Sequence, residues 1–344
     1  MYKSKLQRAT DILLLSVISI FILTLGLLIF LRPPKATSDK ERRPLAQMPR
    51  LSVSAFLDGR LSQDVSDFYS DQLPLRDLFT SAYALTELAL GKCEVNGTVY
   101  ADGALAIRSE HSNAAVERGI AVIEGLGAVL YIPPDAIDLL ASPPPFFKAR
   151  EASIPADSYY RTDHHWTSEG AYIAYTELCD RLGVTPYGED FFTKETVCTD
   201  FYGTAYARSC LPEWAVRADE IILYRYEGDV NVRVTDPASG ETRGLYSKET
   251  LSGADKYAVF LGGNFARLSV SDGKSKPRLL LIKDSFANSV VPFLALHFDI
   301  EMIDPRYCTA EYLTDLLTGT DFPTVLFVVS RDTLESHISR MGTD

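Results

Sequence analysis

A run of twenty uncharged, mostly aliphatic residues near the N-terminus, Ile12 to Leu31, constrains the fold of this chain more than any other feature. A helix rises about 1.5 Å per residue, so a helix of this length matches a hydrocarbon core of roughly 30 Å. No small-x-small cleavage motif follows the run, which continues as Arg32-Pro33-Pro34. We therefore predict a membrane-spanning helix over 12–31 that serves as an uncleaved signal anchor, after a tail formed by residues 1–11.

Basic residues flank this run on both sides. They are Lys3, Lys5 and Arg8 before it, and Arg32, Lys35, Lys40, Arg42 and Arg43 after it. The positive-inside rule favours a cytoplasmic N-terminus, although the second group weakens the charge difference. We expect a single-pass protein of the cell membrane, with a cytoplasmic tail and an extracytoplasmic body.

The composition of the chain excludes some classes of function. A hydrophobic content of 46% in 344 residues is sufficient for a sizeable core. The formal net charge is -12 and the isoelectric point is near 5.0, so the protein repels polyanions. Because no face rich in Lys and Arg with interleaved aromatic residues is found, we predict no nucleic-acid partner.

Five cysteines are scattered along the chain without any C-x-x-C pair. They are Cys93, Cys179, Cys198, Cys210 and Cys308. This spacing argues against a zinc knuckle and against a thioredoxin-type redox site. Cys198 and Cys210 could pair outside the membrane, but small apolar core residues are the favoured interpretation.

The segments after the apolar run differ in pattern. Residues 32–50 are rich in proline and charge and lack periodicity, which predicts a linker. Residues 51–91 suit two amphipathic helices that break at Gln72-Leu73-Pro74-Leu75, and we expect them to pack on the main domain. The main domain then occupies residues 92–344.

Short apolar strands alternate with helices in this main domain, which indicates an α/β fold with a mostly parallel sheet covered on both faces. A β-hairpin is predicted around Asp102-Gly103, and a β-rich excursion over about 184–256. The predicted strands cover 128–132, 257–261, 279–282, 300–303 and 325–329, and the predicted helices 114–126, 168–181, 288–297, 310–317 and 333–340.

The stretch from Tyr159 to Gly170 places two of the five histidines beside a carboxylate. Side chains alternate faces in an extended segment, so Asp163 and His165 point the same way. A histidine held in one tautomer by a carboxylate can take a proton from a hydroxyl nucleophile and return it to a leaving group. The pattern therefore predicts a catalytic pair that needs a serine.

Two strand ends can supply the missing groups, because ligands in such folds bind at the carboxyl ends of the strands. Ser285 follows the strand 279–282 and directly precedes a predicted helix, so it is the candidate nucleophile, and its own N–H can hold an oxyanion. The predicted strand 257–261 ends in Gly262-Gly263-Asn264. The Gly263 N–H and Asn264 are the further oxyanion-hole candidates.

Three of these motifs together resemble the bacterial DHHW protein family, which is similar to the SGNH-hydrolase-like proteins that O-acetylate alginate in the periplasm. They are Thr162-Asp163-His164-His165-Trp166-Thr167, Phe260-Leu261-Gly262-Gly263-Asn264 and Ile282-Lys283-Asp284-Ser285-Phe286-Ala287-Asn288-Ser289. Phe68 to Asp77 and Asp200 to Gly203 extend the resemblance over most of the chain after the anchor. One departure is Lys283-Asp284, where SGNH enzymes usually carry Gly-Asp.

This resemblance implies a three-layer SGNH-hydrolase-like fold with His165 as the base, Asp163 as its orienting carboxylate and Ser285 as the nucleophile. It also implies transfer or removal of an acyl group, expected to be acetyl, on a cell-envelope or extracellular polysaccharide. The expected partners are that polysaccharide and an acyl donor, which could be a membrane acyl-transfer protein. Transferase and esterase share the acyl-enzyme, so both stay open.

Other interpretations remain for the same residues. A non-catalytic envelope-assembly or glycan-binding module with this fold is the alternative function. A metal held by Asp163 with His164 or His165 lacks further ligands in the sequence, and we expect neither a metal nor a cofactor. Asp284 is expected to be a charge at a helix N-terminus or a hydrogen-bond acceptor in a loop, and not a proton donor. The residues that could line a pocket are His164, Trp166, Asp284, Asn288 and Arg306, although His164 and Trp166 could instead serve the core.

Overall fold

A computed structural model describes residues 5–101, 103–140, 154–319 and 321–341. It divides into two compact units, Met1–Gly91 and Lys92–Asp344. Asp102, at the tip of the predicted hairpin, lies outside the described residues, and so do residues 141–153.

The first unit consists of helices and one short hairpin. Its elements are α1 (Lys5–Leu31), β1 (Thr37–Ser38), β2 (Arg43–Pro44), α2 (Val53–Leu57), α3 (Arg60–Gln72) and α4 (Arg76–Ala89). Within α1, Gln7–Leu31 is long and apolar enough to cross a membrane. The structure therefore contains the single apolar N-terminal helix that the sequence predicts.

Residues 32–50 are folded, which their composition did not indicate. Strands β1 and β2 pair antiparallel, and the Arg43 guanidinium donates two hydrogen bonds of 2.8 and 2.6 Å to the Asp71 carboxylate on α3. Gln72 donates to the carbonyl oxygens of Lys35 and Ala46 at 3.0 and 2.9 Å. A bidentate Arg–carboxylate pair fixes geometry as well as adding free energy. The segment is therefore fastened to α3 instead of forming an irregular linker.

The second unit carries the remaining elements. Its strands are β3 (Glu94–Val95), β4 (Thr98–Ala101), β5 (Ala104–Ile107), β6 (Val129–Tyr131), β7 (Thr193–Phe201), β8 (Asp219–Arg225), β9 (Arg233–Thr235), β10 (Thr242–Arg243), β11 (Arg267–Ser271), β12 (Arg278–Lys283), β13 (Asp299–Ile303) and β14 (Thr324–Val328). Its helices are α5 (Asn113–Gly125), α6 (Ala136–Leu140), α7 (Ser168–Leu182), α8 (Thr204–Ser209), α9 (Val291–Leu294), α10 (Ala310–Gly319) and α11 (Arg331–Ser336).

The main sheet has the strand order β10-β9-β11-β13-β12-β14-β6. The pairings β13–β12, β12–β14 and β14–β6 are parallel, whereas β11–β13, β9–β11 and β10–β9 are antiparallel. The sheet is therefore mixed, and the prediction of a mostly parallel sheet holds only for its β13-to-β6 half. Two of the antiparallel strands, β9 and β10, come from the excursion predicted at 184–256, and the third, β11, follows it, while β7 and β8 form a separate two-stranded sheet.

The strand predicted at 257–261 is wrong. Residues Lys256–Val259 form a 3-10 helix, and only Phe260 makes a single antiparallel bridge, to Tyr246. The physical reason is the turn that follows, because Leu261, Gly262 and Gly263 all have positive φ values of 63°, 81° and 107°. An extended strand cannot continue through three left-handed residues. Similarly, the helix predicted from Asn288 shortens to α9, after a 3-10 helix over Ser285–Ser289.

The disulfide considered between Cys198 and Cys210 is not formed, since Cys198 carries a free thiol whose Sγ lies 3.2 Å from Asp200 Oδ1.

Strand β12 is buried on both of its faces. Leu279 and Leu281 belong to one apolar cluster that includes residues of α7 and α9, whereas Leu280 and Ile282 belong to a second cluster with residues of α5, α10 and α11. All four leucine and isoleucine side chains have 0% exposure. A continuous apolar run is the pattern expected of a strand covered on both faces. The carboxyl end of this central strand delivers Ser285.

The N-terminus of α7 approaches the histidine stretch closely. Thr167 caps the helix by accepting from the Gly170 N–H at 3.2 Å. A Cβ atom at Gly170 would lie 2.6 Å from the Ser158 carbonyl oxygen and 2.8 Å from Trp166 Cβ. Only glycine therefore lets α7 pack this tightly against the segment that carries His165.

We expect Gly170→Ala to lower the free energy of unfolding by about 1–3 kcal/mol, because the added methyl group has no space. Gly125→Ala, in α5, is the matched control, since a Cβ there meets nothing within 4 Å. That control should raise stability by up to about 1 kcal/mol through helix propensity. Urea unfolding of the full-length protein in detergent, followed by circular dichroism, measures both. Equal or greater stability of Gly170→Ala would contradict the close approach.

Candidate active site

The segment before Asp163 is held in place by a buried carboxylate on β8. Asp219 Oδ2 accepts from the Thr162 backbone N–H at 2.8 Å and from its hydroxyl at 2.6 Å, and Oδ1 accepts from the Arg161 N–H at 3.0 Å. Burial raises the pKa of Asp219, while the hydrogen bonds from Thr162 and Arg161 oppose that rise. Nothing in the local sequence signals this partner, which lies more than fifty positions along the chain.

The structure brings together the three residues predicted to form the triad. His165 Nε2 lies 2.8 Å from Ser285 Oγ, and His165 Nδ1 lies 2.5 Å from Asp163 Oδ1. All three side chains are buried. Because the carboxylate is an acceptor, it selects the tautomer with hydrogen on Nδ1 and leaves the Nε2 lone pair toward the hydroxyl. This arrangement can move a proton from Ser285 to His165.

The Asp163 carboxylate is satisfied on both oxygens. Oδ1 also accepts from the His165 backbone N–H at 3.0 Å, and Oδ2 accepts from the Thr204 N–H at 2.6 Å and hydroxyl at 3.0 Å. Burial alone raises the pKa of Asp163, but the neighbouring His165 and His164 and these hydrogen bonds hold it below its ordinary range. Asp163 is therefore an anion at neutral pH.

Gly203 leaves the space that this carboxylate occupies. A Cβ atom at Gly203 would lie 2.2 Å from Asp163 Cβ and 2.3 Å from its Oδ2. The motif Asp200 to Gly203 is part of the family resemblance, yet the sequence did not assign it a role. Its role in the structure is to bring the start of α8 into contact with Asp163.

Tyr257 and Phe286 enclose the His165 ring. The Tyr257 ring stacks on it with centroids 3.9 Å apart and planes 7° apart, and Phe286 meets it edge-on at 5.0 Å. The Tyr257 hydroxyl also donates to the Ser285 carbonyl oxygen at 3.3 Å. Sequence reasoning missed Tyr257 because it was placed in a strand. The ring packing leaves the imidazole little freedom to rotate away from Ser285.

Ser285 begins a 3-10 helix whose start is capped by Asp284. Asp284 Oδ1 accepts from the Phe286 N–H at 3.1 Å, while Oδ2 accepts from the Ser330 N–H at 2.7 Å and the Thr333 hydroxyl at 2.8 Å. Asp284 is thus a hydrogen-bond acceptor at a helix N-terminus, as expected. Among the described residues no acceptor is found for the Ser285 N–H, so that donor is available to an oxyanion.

The Gly262-Gly263-Asn264 turn differs in one respect from the prediction. The Gly263 N–H donates to the Phe260 carbonyl oxygen at 3.2 Å, so this structure does not leave it free for an oxyanion. The Asn264 side chain keeps its donors available. Its Oδ1 accepts from Lys283 Nζ at 3.2 Å and from Asn288 Nδ2 at 3.1 Å, and in the described part of the chain its Nδ2 has no acceptor.

A cavity of about 470 Å³ opens at Ser285. Three of the residues predicted to line a pocket do so, namely His164, Asp284 and Arg306, and Arg108 and Arg208 join them. The other two do not line it.

Trp166 and Asn288 are buried and do not line the cavity. Trp166 has 0% exposure and donates from its indole Nε1 to Ser289 Oγ at 2.9 Å, and Asn288 has 1% exposure. Their predicted place in the pocket is therefore wrong, because both side chains are used to fix the 3-10 helix and the glycine turn below the nucleophile. This result agrees with the alternative interpretation of Trp166 as a core residue.

His164 lies beside the triad and not within it. Its Nδ1 is 2.6 Å from the Thr204 hydroxyl, and its side chain is partly exposed. Desolvation and the neighbouring His165 lower the pKa of His164 to about 4, so its imidazole is neutral at pH 7. His164 is therefore a neutral, hydrogen-bonded residue of the cavity wall, which differs from the alternative interpretation of His164 as a core residue.

Asp163, His164 and His165 could also place ligand atoms within 4.8 Å of one another. However, Asp163 Oδ1 and His165 Nδ1 are mutual hydrogen-bond partners, and that bond requires a proton where a metal would need a lone pair. His165 Nε2 meanwhile faces Ser285. The donor set fits proton transfer better than metal coordination.

Solved structures of other proteins have a fold similar to that of this chain. A DHHW family protein from Eubacterium siraeum has 20% identity and a TM-score of 0.55, covering 72% of this chain and 94% of that chain. Bacillus cereus PatB1 has 18% identity and a TM-score of 0.55, covering 71% and 99%, and its structure with a sulfonyl adduct has 17% identity and a TM-score of 0.52, covering 71% and 98%. At these identities the likeness concerns the fold.

None of the curated protein sequences compared with the chain matches it. The model of the family described as "DHHW protein" matches residues 151–303, a span that contains the histidine stretch, the Gly-Gly-Asn turn and Ser285. The resemblance to the DHHW family is therefore confirmed across the segment that builds the site.

Proposed function

We propose that this protein is a membrane-anchored serine acyltransferase or esterase that acts, outside the cytoplasm, on O-acetyl groups of a cell-envelope or extracellular polysaccharide. One observation carries the proposal: the continuous hydrogen-bond chain from Ser285 Oγ through His165 to Asp163, with links of 2.8 and 2.5 Å. Those lengths lie within the reach required between a nucleophile, its base and the group that orients the base. The polysaccharide follows from the family resemblance.

The first half-reaction transfers the acyl group to the enzyme. Ser285 Oγ attacks the ester carbonyl carbon while its proton moves to His165 Nε2, and the carbonyl π electrons move to oxygen. Asp163 stabilises the imidazolium through the Nδ1–H. The Ser285 N–H and Asn264 Nδ2 are the donors for the oxyanion. Collapse of this intermediate expels the alkoxide, which takes the proton from Nε2 and leaves an acyl ester on Ser285.

The second half-reaction decides between the two activities. A sugar hydroxyl gives its proton to Nε2 and attacks the acyl-serine carbonyl carbon. The bond between that carbon and Ser285 Oγ then breaks, and Oγ takes the proton back from Nε2, which makes the enzyme a transferase. Water in the same position makes it an esterase. A cavity of about 470 Å³ beside Ser285 admits either acceptor.

The membrane anchor is part of the proposal. The apolar stretch Gln7–Leu31 is long enough to span a bilayer, and the basic residues Lys3, Lys5 and Arg8 precede most of it. We place the N-terminus in the cytoplasm and residues 92–344 outside, where an envelope polysaccharide is accessible.

The nucleophile is tested by covalent labelling of the full-length protein. Wild-type protein treated with 4-nitrophenyl acetate or phenylmethylsulfonyl fluoride should gain one adduct, which peptide mass spectrometry should locate at Ser285. Ser285→Ala should gain none, because it lacks the attacking oxygen. Ser109→Ala is the matched control, since Ser109 lines the same cavity. Labelling that persists in Ser285→Ala would remove this nucleophile, whereas the absence of labelling in wild-type protein would favour the glycan-binding alternative.

The roles of the two histidines and the aspartate are tested by ester hydrolysis. Replacing Asp163 by Asn should lower kcat by about 10³–10⁴-fold, because an amide can donate to Nδ1 and so favours the wrong tautomer. His165→Ala should lose a similar amount. His164→Gln should lose less than about tenfold, since His164 packs against the His165 ring and bonds Thr204 but takes no proton from Ser285 in this mechanism. Full activity of His165→Ala together with an inactive His164→Gln would reverse the assignment.

Topology is tested with a membrane-impermeant maleimide on intact cells. Cys93 is exposed, whereas the other four cysteines are buried or half-buried. If the body is extracytoplasmic, wild-type protein should be labelled in intact cells and Cys93→Ala should not. A cysteine introduced by Ser4→Cys in the Cys93→Ala background should react only after the cells are lysed. Labelling in the reverse pattern would place the body in the cytoplasm.

A further inference from the structure

Lys283 ends the central strand β12 and is buried, with 1% exposure, two residues before the nucleophile. It shares a strand face with Leu279 and Leu281, so its side chain enters the interior beneath the site. A buried ammonium is unfavourable unless its charge and its N–H groups are matched. The triad does not use Lys283, so its burial requires another reason.

Three oxygen atoms surround the Lys283 ammonium. Nζ donates to Asn288 Oδ1 at 2.9 Å and to Asn264 Oδ1 at 3.2 Å, and it lies 3.5 Å from Asp304 Oδ2. An ammonium has three N–H donors and no acceptor, so three acceptors match its protonated form. A neutral amine would leave a lone pair facing one of these oxygens.

The Lys283 ammonium determines the orientation of the side-chain amides of Asn264 and Asn288. The oxygen of Asn264 faces Lys283 and also accepts from Asn288 Nδ2 at 3.1 Å. The NH₂ group of Asn264 must therefore point the other way, and no acceptor for it is found within the described residues. A rotated Asn264 amide would place two N–H donors against an ammonium.

The same network holds a strained turn. Asn288 Nδ2 lies 3.4 Å from the Gly263 carbonyl oxygen. Gly263 is the last of three consecutive residues with positive φ values, and Leu261 is the first. A non-glycine residue in the left-handed region persists only where its surroundings impose it. Lys283 orients Asn288, and Asn288 contacts both Gly263 and Asn264.

We propose that Lys283 is a positioning residue of the oxyanion hole: its ammonium fixes the side-chain amide of Asn264 so that Nδ2 is directed to the acyl oxygen during attack by Ser285. This inference rests on the acyl transfer proposed above, which it extends to a residue that departs from the usual Gly-Asp pattern. Lys283 acts only through Asn264 and Asn288, and it does not touch the substrate.

The charge of Lys283 makes this positioning depend on pH. The charged groups that face it are Asp304, Arg306 and Asp284. Burial lowers the pKa of Lys283 to about 8, while Asp304 opposes that fall. Below this pH the ammonium is present, and above it one N–H is lost. The unfolded chain binds this proton more tightly, so losing it does not by itself destabilise the fold.

A measurement independent of activity tests the positioning. In full-length protein labelled with ¹⁵N-asparagine, the side-chain NH₂ signals of Asn264 and Asn288 should shift together between pH 7 and 10, with a midpoint near 8. Lys283→Met should abolish that titration, and Lys276→Met, two residues before the start of β12, should preserve it. Signals of Asn264 that are identical in wild-type protein and Lys283→Met at every pH would overturn the proposal. The wild-type titration decides the question even if Lys283→Met does not fold.

A double-mutant cycle tests the link to catalysis. Lys283→Met should lower kcat/KM for 4-nitrophenyl acetate by about 10²-fold, the size of one misplaced oxyanion donor. In an Asn264→Ala background the same change should cost less than about threefold, because the group that Lys283 positions is absent. A merely structural lysine would cost the same in both backgrounds, and that result would overturn the proposal.

The two experiments separate the present inference from the function on which it rests. If wild-type protein hydrolyses no ester and takes no label at Ser285, the acyl-transfer proposal fails, yet the asparagine titration still shows whether Lys283 fixes Asn264. If wild-type protein is active but the cycle is additive, the function stands and the role of Lys283 is wrong.

Discussion

The rest of the site depends on the hydrogen bonds that the buried Asp163 carboxylate accepts. A carboxylate removed from water is unfavourable unless both oxygens accept hydrogen bonds. One oxygen accepts from the backbone and ring N–H groups of His165, and the other from the backbone and hydroxyl of Thr204. Satisfying this one charge selects the imidazole tautomer and aims Nε2 at Ser285. The arrangement of the candidate triad thus follows from the solvation of a single buried ion.

The sequence alone predicted those elements in which the local pattern of apolar residues matches the burial of the element in the fold. The apolar runs that became β12, β13 and β14 are covered on both faces, so their composition identified them. Alternation in an extended segment related Asp163 to His165, and the strand-end rule selected Ser285. These arguments need only the residues next to each other in the chain and a general rule about sheets. They were adequate because the site sits where regular elements end.

Other parts of the site could not be predicted, because they depend on contacts between distant segments. Asp219 holds Thr162 from another strand, and Gly203 matters only because Asp163 occupies the space of its missing side chain. Tyr257 was assigned to a strand since five apolar residues suit one, whereas its ring stacks on His165 from a 3-10 helix. No local periodicity encodes such partners. Mixed pairing in the sheet was hidden for the same reason.

The burial of Trp166 gives the protein an internal optical reporter. The chain has two tryptophans, of which Trp214 is 78% exposed, so the two indoles should emit at clearly different wavelengths. The Trp166 ring lies 5.2 Å from Phe286, the residue directly after Ser285. The blue-shifted emission of the native chain therefore reports on the packing around Phe286, a residue that lines the cavity, without attaching a dye.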